Sequence, residues 1–312
     1  MVQQVLDLRE ISAGQTVSGI VYIQDYVKKL DKTSKAPLNG TLYFKGKTLN
    51  FKIWAGALQN SFNDGDFAGR AMMISGKADM YRDNLEITLD SGVLVQEELD
   101  PSLFFKSVDV QSLFGELNNF VTANVSPRGR EVISAVFGNK EILNGFAYTW
   151  AGKKMHDAQT GGLLNHTFKM MKIAHALVDN DPRLATDDWK DLLYIGILFH
   201  DIGKIKEIKQ GGEYTDISFI THRSLGMEIM YEFKDKIIAL YDEKFYYQLQ
   251  AIIQGHHGEY GDAPTTVWAY IIHLIDMLEC NVTGFLDRHE NGESGFKNGN
   301  DTMWMNGGNL VY

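Results

Sequence analysis

Residues 192–204 read LLYIGILFHDIGK, and this stretch sets the character of the C-terminal part of the chain. The run before the histidine consists of apolar, aromatic and glycine residues, so it indicates a buried helix. It ends at His200-Asp201, and Gly203 is expected to permit a tight exit from the helix. An unpaired carboxylate is costly to bury, so Asp201 needs a compensating positive charge nearby.

Polar side chains interrupt apolar helix faces at several other places. His166 shares a helical stripe with Met170 and Ile173, so it is expected to face the core. Asp276 interrupts the apolar run Val267–Leu278. The polar residues at such core-facing positions are His166, His200, Asp201, His222, His256, His257 and Asp276.

These seven residues together predict a divalent-metal site. A single buried histidine is more often a core residue whose ring nitrogens are satisfied by hydrogen bonds. A whole set of histidines and aspartates favours convergence on cations, because neutral imidazoles and carboxylates are good metal ligands. Such an imidazole-rich set suits Mn²⁺, Co²⁺, Fe²⁺ or Zn²⁺ better than Mg²⁺, and an aspartate between two ions can bridge them.

The N-terminal part of the chain follows a different pattern, in which short alternating apolar runs are separated by turn residues. Such runs predict β-strands and, at this spacing, a small barrel. An OB-like barrel is the favoured prediction, and an SH3-like barrel is the alternative. After Asp100-Pro101 the periodicity changes to that of helices. The predicted strands are Thr16–Tyr26, Gly40–Phe44, Thr48–Trp54, Gly69–Ser75 and Leu85–Leu89.

Bulk composition narrows the class of protein. The net charge of −10 disfavours a general nucleic-acid coat protein, because affinity for phosphate depends on Lys and Arg. The apolar runs Leu192–Phe199 and Val267–Leu278 are too short to span a bilayer, so no membrane association is expected. A lone Cys280 and an N-terminus with charges of both signs favour a cytoplasmic protein in a reducing compartment.

The order of the polar residues resembles that of the HD superfamily of metal-dependent phosphohydrolases. Within that superfamily, GGLLNHT at 161–167 and GHHG at 255–258 are similar to the YhaM-type 3′→5′ exoribonucleases. Those proteins also carry an OB-type barrel ahead of the HD domain, so the resemblance covers roughly residues 10–285. The residues that carry it are His166, His200-Asp201 with Gly203-Lys204, His222, His256-His257 and Asp276.

The resemblance implies two ions, and among the suitable metals it points to Mn²⁺. One ion would be held by His166, His200, Asp201 and Asp276. The second would be held by His222, His256 and His257, with Asp201 as the bridge.

Two departures from the family patterns narrow the site and the substrate. Gly162 stands where a third metal would need a glutamate. Residues 259–264 replace the Gly-Tyr-Pro element of the cyclic-dinucleotide phosphodiesterases, which disfavours that substrate.

The implied fold class is α+β multidomain, with an N-terminal OB-like β-barrel followed by an all-α HD domain. The predicted domains are an OB-like nucleic-acid-binding barrel (1–98), a helical linker region that packs on the HD domain (99–155), the HD metal-dependent phosphohydrolase core (156–290) and a C-terminal tail (291–312).

The predicted function is that of a metal-dependent 3′→5′ exoribonuclease, which hydrolyses single-stranded RNA to nucleoside 5′-monophosphates. Single-stranded DNA is a possible additional substrate. Asp201, Lys204 and His156 are the candidate catalytic residues: Lys204 would contact the substrate phosphate, and His156 would contact it or donate a proton. The alternative functions are an HD phosphohydrolase for free nucleotides or cyclic dinucleotides, and a non-catalytic nucleic-acid-binding protein with a structural metal.

Aromatic residues interleaved with lysines in the barrel suggest a surface for single-stranded nucleic acid, on which bases would stack beside cations. Alternatively, the aromatic rings fill the barrel core and the lysines solvate its rim. A homo-oligomer is left open. The candidate nucleic-acid contacts are Tyr22, Lys28, Lys29, Tyr43, Lys45, Phe51 and Trp54.

Overall fold

The computed structural model describes residues 4–29, 36–97, 99, 101–152, 157–209, 212–258, 261–290, 302–305 and 308–311. The chain divides into two compact units, Met1–Lys106 and Ser107–Tyr312. The first unit holds a barrel and the second holds a helical array, which confirms the predicted fold class. The finer predicted division at residues 98, 155 and 290 stays a prediction.

Five strands form the closed barrel of the first unit. Their order around the barrel is β1-β2-β3-β5-β4. The β3–β5 pair is parallel and the other pairs are antiparallel, with β4 closing onto β1. Together with a helix between β3 and β4, this is the OB order, so the SH3-like alternative is wrong. The elements are β1 (Thr16–Tyr26), β2 (Leu38–Phe44), β3 (Lys47–Ile53), α1 (Ala57–Asp64), β4 (Arg70–Tyr81) and β5 (Asn84–Leu94).

Strands β4 and β5 are longer than the predicted ones, because a bulge beside Gly76 lets their pairing continue. A Cβ atom at position 76 would lie 2.3 Å from the backbone oxygen of Thr88, so the close approach requires glycine. The two strands meet in a tight hairpin. Its central residues, Arg82 and Asp83, have φ angles of 47° and 65°, the left-handed backbone that such turns need.

The second unit is mostly helical, and two short strands, β6 (Thr302–Met305) and β7 (Gly308–Val311), pair as an antiparallel hairpin near the end of the chain. The helices are α2 (Val110–Asn124), α3 (Pro127–Phe137), α4 (Lys140–Tyr148), α5 (Gly162–Asn180), α6 (Asp187–Phe199), α7 (Lys204–Glu207), α8 (His222–Tyr231), α9 (Lys234–Leu240), α10 (Glu243–Gly255) and α11 (Val267–Glu290).

Helix α6 forms the centre of the helical unit. It is buried from Asp191 to Phe199, as its apolar run predicted, and it packs against α5, α10 and α11. Gly196 allows this approach, since a Cβ atom there would lie 2.8 Å from a methyl group of Ile252 and 2.8 Å from one of Ile272. A helix held on three sides gives the residues that follow it a well-defined position.

The buried carboxylate of Asp191 ties α6 to two neighbouring helices. It accepts a hydrogen bond from the backbone N–H of Ser126 at 2.9 Å, and another from the Ser126 hydroxyl. The Tyr241 hydroxyl also donates to it, at 2.5 Å. Burial and this hydrogen bond raise the pKa of Tyr241, so its hydroxyl keeps its proton. Ser126 caps α3 and Tyr241 ends α9, so one carboxylate anchors three helices.

Helix α11 is longer than its predicted apolar stretch. In the described part of the chain it is the one helix whose length and composition would allow it to cross a bilayer, over Val267–Leu286. Its inner face packs against α5, α6 and α10, and it carries the charged residues Asp276 and Glu279 on that side. The helix is therefore an integral part of the helical unit.

We expect Asp191→Ala to lower the free energy of unfolding by about 2–4 kcal/mol, because it leaves the Ser126 N–H and the Tyr241 hydroxyl buried without their acceptor. Denaturant unfolding followed by circular dichroism measures this change. Asp188→Ala on the same helix is the matched control, since Asp188 is 65% exposed and pairs with Arg128 at the surface. Equal losses for the two variants would contradict the anchoring role of Asp191.

Candidate functional site

The structure brings all seven predicted metal ligands together inside the helical unit. Most of them lie at or directly after helix ends, where several helices converge. They are His166 near the start of α5, His200 and Asp201 directly after α6, His222 at the start of α8, His256 and His257 directly after α10, and Asp276 in the middle of α11.

The carboxylate of Asp201 is the centre of this cluster, and its two oxygens face two different groups of histidines. Oδ2 lies 3.3 Å from Nε2 of His200 and 3.9 Å from Nε2 of His166. Oδ1 lies 3.4 Å from Nε2 of His222 and 3.3 Å from Nε2 of His256. One residue is therefore shared by two sets of donor atoms.

Further short distances complete both sets. On the first side, Nε2 of His166 lies 3.3 Å from Nε2 of His200 and 3.3 Å from Oδ1 of Asp276. On the second side, the Nε2 atoms of His222 and His257 lie 3.0 Å apart. Two imidazole nitrogens that face each other need a proton or a cation between them, because their lone pairs repel.

The cluster fits a divalent metal ion by its burial as well as by its donor atoms. Within the described residues, Oδ1 of Asp201 and Nε2 of His256 are buried without a hydrogen-bond partner. Such atoms are costly unless a cation or a donor compensates them. Grouped by distance, the candidate ligands form one set of His166, His200 and Asp201, and another of Asp201, His222, His256 and His257. The site therefore has the composition of a divalent-metal centre.

In four of the five histidine rings, the outward-facing Nδ1 is held by a hydrogen bond, which orients Nε2 toward the cluster. Nδ1 of His200 donates to the carbonyl oxygen of Ile197 at 2.7 Å, and Nδ1 of His256 donates to that of Ile253 at 2.8 Å. Both acceptors lie three residues earlier, in the last turn of the preceding helix. These two rings are thus fixed by the ends of their own helices.

Two glutamates hold two more of the rings, those of His166 and His222. Nδ1 of His166 donates to Oε2 of Glu279 at 2.5 Å, and Nδ1 of His222 donates to Oε2 of Glu207 at 2.9 Å. Glu279 is 2% exposed. A carboxylate behind an imidazole fixes the tautomer and raises the basicity of the nitrogen that faces the metal.

Glu279 is itself held by a buried polar network. Its Oε1 accepts a hydrogen bond from the Thr283 hydroxyl at 2.5 Å and lies 3.3 Å from Nζ of Lys169. Lys169 also pairs with Asp157 at 3.0 Å. Burial lowers the pKa of Lys169, but Asp157 and Glu279 outweigh it, so the pKa is raised and the ammonium stays charged. The network keeps Glu279 in one position behind His166.

Burial and neighbouring charges set the protonation states of the histidine rings. Burial lowers the pKa of His256 to about 4 and that of His257 to about 3, so both imidazoles are neutral at physiological pH. Burial also lowers the pKa of His166, but hydrogen bonds to Asp276 and Glu279 outweigh it and raise the pKa to about 10. A cation beside Nε2 of His166 would therefore replace a proton.

Lys204 lies against Asp201 rather than projecting freely from the helix exit. Its Nζ is 2.5 Å from Oδ2 of Asp201. Burial raises the pKa of Asp201, but Lys204 and His200 outweigh it and hold that pKa well below its usual range. The predicted candidate His156 falls outside the described residues.

Gly203 has a different role from the predicted one. Its φ of −67° is ordinary helical backbone, so the helix exit alone does not require glycine. A Cβ atom at this position would lie 1.8 Å from the backbone oxygen of His222. Glycine therefore allows the start of α8 to approach the end of α6, which places His222 beside Asp201.

Sequence reasoning missed Glu207 and Glu279, although a weak signal for both exists. Glu279 follows Asp276 by three residues, and Glu207 follows Lys204 by three residues. Residues three apart share a helix face, so each glutamate lies on the same side as a residue of the cluster.

Among the predicted nucleic-acid contacts, Phe51 is wrong, and three others contact neighbouring aromatic rings. Phe51 is 1% exposed and belongs to the barrel core, because its inward register on β3 leaves no surface for a base. Tyr22 and Tyr43 pack against the ring of Phe105, at centroid distances of 4.7 Å and 5.4 Å. Lys45 lies over Phe44 at 5.6 Å.

Of the two loop lysines among the candidates, Lys29 is held by hydrogen bonds and Lys28 is exposed. The backbone N–H of Lys29 donates to Oδ1 of Asn63 at 2.8 Å, and its ammonium donates to the Ala36 carbonyl. Lys28 is exposed.

An open cleft on the barrel contains the remaining aromatic candidate, Trp54, together with Tyr81, which sequence reasoning missed. These rings are 54% and 49% exposed. Nζ of Lys52 lies 4.8 Å from the centre of the Tyr81 ring and 3.2 Å from Oε2 of Glu86. The amide side chains of Asn39 and Asn50 also line this cleft, so it offers aromatic faces beside hydrogen-bonding groups.

Comparison with known families identifies the helical unit. Residues 163–281 match the family model described as HD domain. The match confirms the predicted HD domain, which in this chain follows the five-stranded barrel.

Similarity to named proteins extends beyond the HD domain. Over most of its length the chain is similar to 3′-5′ exoribonuclease YhaM of Shouchella clausii, with 25% identity over 294 residues, 90% of this chain and 88% of the relative. The protein of the same name from Bacillus subtilis is 31% identical over 145 residues, 44% of each chain. A solved OB domain from Methanosarcina mazei has a TM-score of 0.26 and 15% identity, and covers 32% of this chain and 90% of that one. The predicted resemblance to the YhaM-type exoribonucleases is confirmed.

We expect Glu279→Gln to weaken the binding of a divalent metal by about 10–100-fold, because His166 loses the carboxylate that orients its ring. Isothermal titration calorimetry of the metal-stripped protein with Mn²⁺ measures this affinity. Glu228→Gln on α8 is the matched control, since Glu228 is 66% exposed. Unchanged affinity in the Glu279 variant would rule out the orienting role.

Proposed function

We propose that this protein is a metal-dependent 3′→5′ exoribonuclease that hydrolyses single-stranded RNA to nucleoside 5′-monophosphates, and that it also accepts single-stranded DNA. The observation that carries the proposal is the buried carboxylate of Asp201, shared by two groups of histidine nitrogens within an HD domain. Similarity to proteins named 3′-5′ exoribonuclease along 90% of the chain supports the polarity and the substrate.

The two donor sets support a site for two divalent ions, with Mn²⁺ as the preferred metal. His166, His200, Asp201 and Asp276 would hold one ion, and His222, His256 and His257 would hold the other with Asp201 as the bridge. Two divalent ions in such a site supply Lewis-acid activation of a phosphodiester.

The protein's own side chains contribute positioning and charge. An ammonium group has three donors, and the pairing of Lys204 with Asp201 uses one of them. Burial lowers the pKa of Lys204, but Asp201 outweighs it and raises the pKa, so the group stays cationic. We assign to Lys204 a charge-assisted contact to the substrate phosphate, which would strengthen as negative charge develops.

The barrel cleft supports binding of single-stranded nucleic acid. Trp54 and Tyr81 present exposed rings on which successive bases can stack, and stacking tolerates any base because each base has a π-face. Asn39 and Asn50 can hydrogen-bond to base edges. The proposed location is the cytoplasm, where single-stranded RNA is available and a lone Cys280 stays reduced.

The experiment that tests the activity uses RNA labelled at its 5′ end, incubated with the purified protein and Mn²⁺, with products resolved by length and by chromatography. We expect a ladder that shortens from the 3′ end, and release of 5′-monophosphates. Asp201→Ala should lose turnover by at least about a thousandfold while still binding RNA, because it removes the residue shared by both ligand sets.

Asp235→Ala is the control, because Asp235 is an exposed aspartate on α9. Hydrolysis of free nucleotides with intact RNA would instead indicate a nucleotide phosphohydrolase. RNA binding without any hydrolysis across a panel of divalent metals would indicate a binding protein with a structural metal.

We expect Trp54→Ala and Tyr81→Ala each to weaken binding of a single-stranded RNA by roughly 5–100-fold, the range that loss of one stacking contact produces. Fluorescence anisotropy with the metal-stripped protein measures binding without hydrolysis. Val93→Ala is the matched control, because Val93 is a 68% exposed apolar residue of the barrel that does not line the cleft. If all three variants bound the RNA with equal affinity, the RNA-binding surface would have to lie outside this cleft.

A further inference from the structure

His257 is held differently from the other four histidines of the cluster. Its Nε2 lies 3.0 Å from Nε2 of His222, so it belongs to the second set of donor atoms. Within the described residues, however, no hydrogen bond to its Nδ1 is present. A histidine that binds a metal usually has its other nitrogen held, which fixes the orientation of the ring. The orientation of His257 must therefore come from the residues packed around it.

Gly261 packs directly against His257. The backbone N–H of Gly261 donates to the carbonyl oxygen of Gly258 at 3.0 Å, which brings the chain back toward the end of α10. A Cβ atom at position 261 would lie 3.0 Å from Cβ of His257. The close approach leaves little free space beside the base of the His257 side chain, so it restricts rotation of the ring.

The backbone on both sides of His257 is fixed by His273 of α11. Nδ1 of His273 donates to the carbonyl oxygen of His256 at 2.7 Å. The His273 ring also packs on Gly258, where a Cβ atom would lie 2.3 Å from it. Gly258 has a φ of 56°, the left-handed backbone that favours glycine. These contacts fix the start of the segment and leave its far end, at Gly261, to other residues.

Arg223 reaches that far end from α8. It directly follows the candidate ligand His222 in sequence. Its Nη1 donates to Oδ2 of Asp262 at 2.9 Å and to the carbonyl oxygen of Gln254 at 3.2 Å. The carbonyl group of Gln254 belongs to the last turn of α10, where backbone oxygens lack a partner within the helix. One guanidinium thus links the start of α8 to the end of α10 and to Asp262.

The guanidinium of Arg223 and the side chain of His257 lie on either side of Gly261. A Cβ atom at position 261 would lie 2.8 Å from Nη1 of Arg223 as well as close to His257. The side chains of Arg223 and Asp262 are 18% and 59% exposed. An ion pair at such a site contributes little to the free energy of unfolding. Its main effect is therefore to restrain Gly261.

We infer that Arg223 is a positioning residue for the second set of metal ligands. Together with Asp262 it keeps Gly261 against His257, and so holds Nε2 of His257 in front of Nε2 of His222. The inference rests on the proposed site for two ions, but it concerns the binding of metal and can be tested without hydrolysis.

Isothermal titration calorimetry of the metal-stripped full chain with Mn²⁺ tests this role. His257→Ala first identifies the binding step that depends on His257. Arg223→Ala should weaken that step by about tenfold, the lower end of the range for residues that support metal ligands, and leave the other step unchanged. Arg183→Ala is the matched control, because Arg183 is 86% exposed and also pairs with an aspartate. An unchanged His257-dependent step, or equal weakening of both steps, would overturn the inference.

A double variant shows whether Arg223 acts through His257. If it does, Arg223→Ala combined with His257→Ala binds Mn²⁺ no more weakly than His257→Ala alone, whereas additive losses would contradict the inference. Asp262→Ala should give the same selective weakening, and it serves as the test if Arg223→Ala does not fold. Normal binding of both ions with reduced turnover in Arg223→Ala would assign the arginine to the substrate and overturn the positioning role.

Failure of the proposed activity would give a different pattern. A wild type that leaves RNA intact, but whose His257-dependent step weakens in Arg223→Ala, would refute the exoribonuclease and support the role of Arg223. A wild type whose Mn²⁺ binding is the same as that of His257→Ala would refute both the second ion and this inference.

Discussion

The helical unit depends on one buried carboxylate. Asp201 is 3% exposed, and a charge so placed is stable only when cationic or hydrogen-bonding groups surround it closely. Four histidines, three of them from other helices, and Lys204 surround this carboxylate, and a divalent cation would add further compensation. Each partner must therefore be held by its own helix. The packing of the helices thus determines the geometry of the site.

The fold meets that requirement by anchoring helix ends. Helix α6 is buried from Asp191 to Phe199 and stops directly before His200-Asp201, so the pair cannot shift without moving the core. Gly203 then lets α8 start within contact distance of α6. The rings of His200 and His256 are oriented by carbonyl groups of the preceding helical turn, so no other side chain is needed to hold them. Two further rings, those of His166 and His222, are oriented by glutamates, and Glu279 is itself held by Lys169.

The candidate ligands that cluster in the structure could be selected from the sequence, whereas the groups that orient them could not. A histidine or aspartate on an apolar stripe contradicts the expected burial of its residue type, so the pattern itself draws attention to His166 or Asp276. Glu279 and Glu207 carry no such contradiction in sequence, because glutamates are common on the exposed faces of helices. Their role depends on which ring nitrogen lies within reach, a distance that only the folded chain defines.

In the barrel, the alternation of apolar and polar residues predicted the strands. It did not predict which aromatic rings face the core and which face the solvent. A shift of register by one residue exchanges the inner and outer faces, and Phe51 on β3 lies on the inner one. The rings of Tyr22 and Tyr43 contact Phe105, a residue that follows the barrel in sequence, and no periodicity within the strands could reveal that contact.

The charge of the chain shapes how it can hold RNA. With a net charge of −10, general attraction to phosphate is weak, so affinity must come from local groups. In the cleft, the charge of Lys52 is already balanced by Glu86, and the lysine lies over the face of Tyr81. The proposed stacking on Trp54 and Tyr81 would depend little on salt, unlike release of counterions from phosphate. In this proposed mode of binding the bases carry most of the contacts, so the phosphate backbone is free to shift after a terminal nucleotide is released.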